Sequence, residues 1–476
     1  MKNQHAAKEV FSPHWLRIPS QYLFSLFLLL VLLTPQWHQG TFTHLPLLRL
    51  NSNEQHYTIG VLALLPFVAV LFFLLAHLLE QPREKWRWGH RYLSLPLGAF
   101  TLLALVRTWP IQDLKHAAKV FLAIGLLGGI YLYILQNLPT AYAVGTLAAM
   151  LPVQGIVGFL QFIKQHSLNL TFFGERWLTP TVKGASVIES GGQRWLRAYG
   201  LTMHPNILGG YLGIGMLICL GASLTVKGWR RWALWSCILV AIPGFLLSFS
   251  RSAWLGTSTG LLFLLVIIRP WERLEWRSSF NWKQWVLIGT IISFVLVLFL
   301  VLYGDLLASR LWRHDSKLER RSIRDRLVDL EQAWALFKMA PLTGVGPGRY
   351  QDALWGAAGD NPPPGFRRVH NLPLLASAEL GVWGGVLWLW LGLALPTALL
   401  WQNRRARRKK HRNNITSEPN AKDPTESDLG KIGWAAALIA MTVISCLTLY
   451  FYIFPNWWHA VFLALLLGGW GDWERE

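Results

Sequence analysis

Residues 285–304 read WVLIGTIISFVLVLFLVLYG, twenty positions without a single charge. No amphipathic soluble helix can be cut from this stretch, because polar residues do not recur at the spacing that would give it a wet face. Its length suits a bilayer, whose hydrocarbon core takes roughly 20 helical residues to cross. Similar blocks recur at about 17–35, 58–79, 92–109, 117–137, 139–163, 206–226, 232–249, 252–268, 372–401, 431–453 and 456–471. Twelve such blocks in 476 residues predict an all-α, polytopic transmembrane helical bundle of about twelve spans. Composition agrees: 53% of residues are hydrophobic and 15% charged, against roughly 25% charged in soluble domains.

The charge pattern sets the orientation. The strongest basic runs are REKWRWGHR (83–91), KGWRR (227–231), RPWERLEWR (269–277) and RRARRKKHR (404–412). Twelve spans with the N-terminus inside put all four on the cytoplasmic side, as positive-inside sorting requires, and leave both termini cytoplasmic. Lys115 and Lys119 fall on the outer side and weaken the asymmetry. The net charge of +20 is therefore read as membrane topology, with lipids and not nucleic acid as partner. Many of the 27 tryptophans, among them Trp86, Trp88, Trp229, Trp232, Trp457 and Trp458, flank apolar blocks, where indole rings meet headgroups. The first block has the apolar centre YLFSLFLLLVLL behind Lys2, Lys8 and Arg17, but no A-x-A site follows, so it is read as a span. Cys219, Cys237 and Cys446 sit inside apolar blocks without CxxC or Cys/His spacing, which supports neither a disulfide framework nor a metal site.

The chain divides accordingly. A five-span N-terminal region (1–163) precedes a first outer loop (164–205), spans six to nine (206–304), a large outer loop (305–371) and the C-terminal spans (372–476), which contain a basic cytoplasmic loop (402–430). Outer loops of this length are usually functional. Four features face them. Arg251 in SFSRSAWLG has almost no loop around it; it either snorkels to lipid phosphate or marks a functional site. Arg194, Arg197 and His204 lie in RWLRAYGLTMHPNILGGYL, where His-Pro-Asn is also a plain helix start. Arg326 belongs to the charged helix SKLERRSIRDRLVDLEQAWALFKMA, otherwise a solvated helix laced by pairs such as Arg321–Asp325. His370 precedes Asn371, a helix cap, and Pro373. An imidazole there can take a proton from a hydroxyl near neutral pH. Gly381 and Gly384 are read as helix-packing residues, and Glu379 as a side chain turned inward and paired. One base and several arginines, without a carboxylate pair, suit an anionic leaving group such as pyrophosphate, which guanidinium groups hold bidentately.

HNLPLLASAELGVWG (370–384) fits the pattern H-[N/S/Q]-x9-G-x-x-[G/T/Y] and resembles the O-antigen ligase and O-antigen polymerase family of bacterial envelope glycosyltransferases. RAYGLTMHPNILGGYL, SRSAWLG and an arginine upstream of PLTGVGPGRY follow the family in order, over roughly residues 100–455. The resemblance implies a GT-C-like membrane bundle in the bacterial inner membrane, with its active site and both outer loops periplasmic. It implies transfer of a glycan from an undecaprenyl-pyrophosphate carrier to an acceptor hydroxyl on lipid A core or another acceptor. The reaction would be metal-independent, without cofactor, and inverting. Carried over, His370 resembles the general base, while Arg251, Arg326 and Arg197 resemble pyrophosphate-binding arginines. Trp334 stands eight residues after Arg326, where relatives often have it four after, so Arg321 and Arg324 remain alternatives. A repeat-unit polymerase would use the same site chemistry. Bicarbonate transport, another activity in the superfamily, would need a polar path through spans that here carry few charges.

Overall fold

The computed structural model describes residues 14–33, 61–79, 86–109, 113–173, 175–268, 282–311, 317–358, 368–413, 426–448 and 457–468. The run 269–277 and parts of 83–91 and 402–430 lie outside them. A helix covers each apolar block. In order these are α1 (His14–Leu33), α2 (Val61–Leu79), α3 (Arg91–Thr108), α4 (Leu114–Asn137), α5 (Thr140–Lys164), α6 (Pro205–Ser223), α7 (Trp229–Leu247), α8 (Arg251–Ile268) and α9 (Trp282–Leu311). The large outer loop supplies α10 (Lys317–Met339) and α11 (Tyr350–Ala358). The chain returns through α12 (Leu372–Leu380), α13 (Val382–Asn413), α14 (Glu426–Leu447) and α15 (Trp457–Gly468). Among the described residues, nine helices are long and apolar enough to cross a membrane. The helices α2, α3 and α15 fall short of that measure, so the multi-pass bundle is plain while these three crossings stay expectations.

The helix α6 is the axis. It is 89% buried and packs against α5, α7, α8 and α14. Its sequence PNILGGYLGIGMLICLGAS is rich in small residues, which let neighbouring backbones come close where lipid offers no hydrophobic force to press helices together. The helix α9 is the opposite case: 11% buried, it touches α7 and the outer hairpin but little else, and presents its apolar surface outward. At Tyr303 its backbone leaves helical geometry (φ −127°, ψ 17°), and beyond this kink the carbonyl of Arg310 meets Arg251 at the start of α8.

Two features at the outer end position the functional residues. Strands β1 (Val187–Ser190) and β2 (Gln193–Leu196) form an antiparallel hairpin with Val187 opposite Leu196. Gly191 and Gly192, at φ 58° and 77°, supply the two left-handed positions a tight hairpin turn needs. The block 372–401, expected as one span, is broken at Gly381 (φ 73°, ψ −174°) into α12 and α13. That conformation is open essentially to glycine alone.

Gly381 is thus a turn between helices, and a Cβ there would strike the carbonyl of Leu342. Gly384 packs α13 back against Ala376 and Leu380 of α12. The PLTGVGPGRY segment is stitched onto the break. Val345 N donates to Ala378 O at 2.9 Å, Gly346 N to Glu379 O at 2.8 Å, and Val382 N to Pro341 O at 2.8 Å. Glu379 is turned inward, fully buried, and its carboxylate accepts the backbone N–H groups of Gly348 and Tyr350. From the N-terminal side, Arg107 donates to Gly344 O at 3.2 Å and the His116 ring meets Pro347 O at 2.8 Å.

Candidate active site

A cavity of about 670 Å³ opens where the first outer loop, the end of α9, the helix α10 and His370 meet. Its construction begins on α5. Gln154 and Gln161, two helical turns apart and both buried, reach out of the bundle to hold the backbone of residues 199–201. Gln161 accepts from Tyr199 N at 3.1 Å and donates to Gly200 O at 2.8 Å, while Gln154 accepts from Leu201 N at 2.8 Å. Buried backbone groups outside regular structure need such partners. The loop so fixed delivers Arg197 and His204 to the cavity wall.

Arg197 is 2% exposed, and four of its N–H groups are directed at protein oxygens. Its Nε donates to Ser248 O at 2.7 Å, Nη1 to Ser186 Oγ at 2.7 Å, and Nη2 to Asn206 Oδ1 at 2.7 Å and Phe249 O at 3.2 Å. Two of these acceptors belong to the turn between α7 and α8, where Phe249 takes a left-handed conformation (φ 46°) that costs a non-glycine residue about 1–3 kcal/mol. That turn starts α8 at Arg251. Arg251 is half-buried and donates from Nη1 to Arg310 O at 3.2 Å, which ties the turn to the end of α9.

The helix α10 presents one face to the cavity: Arg321, Ser322, Asp325, Arg326 and Asp329 recur at helical spacing. The same face continues into Ala333 and Leu336, which are buried, so the helix is anchored by its apolar end and leaves its charged end in the cavity. Asp329 is 3% exposed, and its Oδ2 lies 3.2 Å from Nδ1 of His370. His370 stands immediately before α12, where Asn371 caps the helix by accepting from Leu374 N at 2.9 Å and Pro373 occupies the first turn. The stitched turn below α12 fixes the height at which this histidine emerges.

Of the residues singled out from sequence, His370, Arg326 and Arg197 line the cavity together with Arg194, His204 and Arg321, while Arg251 stands behind the wall formed by Arg310. Arg324, the other alternative to Arg326, is not among the lining residues. The structure adds Asp329 and Arg310 to the set. Asp329 carries a faint signal in the sequence, since it lies three residues beyond Arg326 and eight beyond Arg321 on one helical face; Arg310, in a run of mixed charge, carries none.

His204 caps α6, with its Nδ1 accepting from Asn206 N at 3.1 Å. Burial holds its pKa well below the ordinary histidine value, and the positive charges of Arg197, His370, Arg310 and Arg326 push the same way. It is therefore a neutral imidazole in a cationic cavity. Among the described residues, no group of three or more His, Cys, Asp or Glu side chains is arranged to hold a metal ion.

A comparison with curated proteins finds no match. Residues 237–389, which include Arg251, Arg310, Arg326, Asp329 and His370, match the family model described as O-antigen ligase, so this third of the chain is similar to that family.

Proposed function

We propose that this protein moves a glycan from an undecaprenyl-pyrophosphate carrier to an acceptor hydroxyl, such as one on lipid A core, at the periplasmic face of the bacterial inner membrane. The observation that carries this reading is the imidazole of His370 facing arginines of the first outer loop, the end of α9 and α10 across one cavity. His370 is the general base for the acceptor hydroxyl. The acceptor oxygen attacks the anomeric carbon and forms the new glycosidic bond. The bond from that carbon to the pyrophosphate oxygen breaks, and the pyrophosphate leaves with the electron pair. Attack opposite the leaving group inverts the anomeric centre.

Charge accumulates on the pyrophosphate as the bond breaks. Arg326 neutralises it, with Arg321 and Arg310 beside it and Arg251 adding positive charge from behind Arg310; guanidinium groups suit phosphate oxygens through their paired donors. Stabilising charge as it develops in the transition state is often the largest catalytic contribution. No step in this scheme requires a metal. Arg197, expected from the resemblance to bind pyrophosphate, takes a different part in this reading: with most of its donors committed to Ser186, Asn206, Ser248 and Phe249, it builds the wall that carries His204 and fixes the turn that leads into Arg251.

The test is a glycolipid gel from cells that lack the protein and are complemented with wild type or His370→Ala at equal membrane abundance. Loss of surface polysaccharide attached to core is expected with His370→Ala, because general-base catalysis typically contributes about 10²–10⁴-fold. Retention of full-length attached polysaccharide would overturn the role of His370. Core capped by single repeats in the deletion strain would instead identify a repeat-unit polymerase.

A further inference from the structure

His370 shares its cavity with Arg197, Arg310, Arg321 and Arg326. His204 adds no compensating charge. The cavity's carboxylates are Glu189, Asp325 and Asp329; Glu189 is 3.8 Å from Arg194, and Asp329 is the one within hydrogen-bond reach of His370. Asp329 is also the more sheltered member of that pair, 4% exposed at the side chain against 22% for His370. A buried carboxylate is costly to hold without a donor, and the Nδ1–H of His370 supplies one.

We infer that Asp329 is the positioning residue of the reaction, holding His370 with its proton on Nδ1 so that Nε2 meets the acceptor hydroxyl as a base. The inference rests on the proposed transferase reading and deepens it. In the neutral imidazole one ring nitrogen carries hydrogen and the other accepts, so a hydrogen bond from Nδ1–H to Asp329 Oδ2 leaves Nε2 as the acceptor. During transfer the hydroxyl proton moves to Nε2, the acceptor oxygen bonds to the anomeric carbon, and pyrophosphate departs. Asp329 takes no proton; it offsets the imidazolium charge among the arginines. Sited 41 residues earlier in the chain, it also makes the position of α10, which carries Arg326, answer to the position of the base. Base and leaving-group site are thereby held in register.

The experiment uses full-length protein in proteoliposomes, with undecaprenyl-pyrophosphate-linked glycan and core glycolipid extracted from cells deleted for the protein. Transfer rates are measured for wild type, Asp329→Asn, Asp329→Ala, Asp329→Glu and His370→Ala across the pH range in which imidazole titrates. Asp329→Asn is expected to lower kcat about 100-fold or more with little change in KM for the donor, because the amide can donate to Nδ1 and impose the wrong tautomer. Asp329→Ala is expected to move the acid limb of the rate profile to lower pH, since losing the carboxylate makes imidazolium harder to form. Asp329→Glu should recover part of the rate.

Wild-type kcat and an unmoved acid limb in Asp329→Asn and Asp329→Ala, with His370→Ala inactive, would overturn the inference and leave the transferase reading standing. Activity in His370→Ala would overturn both. Asp329→Asn is nearly isosteric, so a folded variant with raised KM and unchanged kcat would show that Asp329 serves binding alone, and that too overturns it.

Discussion

Arg197 shows how a side chain that looks like a substrate ligand can be a structural part of the site. A charged group 2% exposed requires partners, and here they are two backbone carbonyls, a serine hydroxyl and an asparagine oxygen spread around the guanidinium plane. A lysine ammonium is a single point and cannot reach all four. Arg197→Lys is therefore expected to lower the thermal unfolding midpoint in detergent, at a cost on the order of 3 kcal/mol from acceptors left unpaired. Arg326→Lys, on the cavity face of α10, is expected to keep the midpoint and lose transfer. Equal stability of the two variants would remove the distinction drawn between them. Short patterns in the sequence point to His370, and to Arg326 with Arg321 and Arg324 as alternatives. Asp329 leaves only the faint trace of its helical spacing, because its meaning depends on a histidine 41 residues away.

At the level of elements, the break between α12 and α13 decides where His370 stands. Gly381 sits at φ 73° and ψ −174°, and the Leu342–Thr343 backbone closes over the place a Cβ would occupy. Gly381→Ala adds about 1–3 kcal/mol of backbone strain, and the clash with the Leu342 carbonyl comes on top of it. The expected result is a protein that still inserts, is cut more readily by protease within 340–382, and transfers glycan poorly because the base has shifted. Unchanged protease sensitivity and activity would mean the junction tolerates movement. The apolar blocks place most helices closely, for instance 206–226 against Pro205–Ser223 and 252–268 against Arg251–Ile268, because a span is recorded in composition and needs no tertiary partner. The same rule hides the break, since apolar residues run straight through Gly381 and only contact with the PLTGVGPG turn makes that glycine end a helix. The hairpin 187–196 lies outside any reading based on apolar blocks, although Ser-Gly-Gly-Gln between two short β-prone segments is a turn signal.

For the whole molecule, the cavity constrains topology before any membrane is considered. Its walls come from the loop before α6, the end of α9, α10 and the segment before α12, and Arg197 ties the first of these to the turn after α7. Two helices separate the loop before α6 from the turn after α7, and two separate that turn from the end of α9, so an even number of crossings returns the chain to the same end each time. The hydrogen bond from the His116 ring to Pro347 O brings the α3–α4 connection to that end as well. KGWRR, between α6 and α7, must then lie at the opposite end, and its positive charge gives the expectation that this end is cytoplasmic. Lys115 is the sharper test, because the charge rule taken residue by residue would pull it inside while the fold holds it at the cavity end. Both Lys115 and Lys227 are exposed and suit single-cysteine substitution, with Cys237 and Cys446 replaced by alanine and Cys219 left buried. In right-side-out spheroplasts, a membrane-impermeant maleimide is expected to label Lys115→Cys at once and Lys227→Cys only after permeabilisation. The reverse pattern would place the cavity on the cytoplasmic side. Nucleotide-activated donors would then be within reach, and nothing would favour a lipid-linked pyrophosphate donor over them.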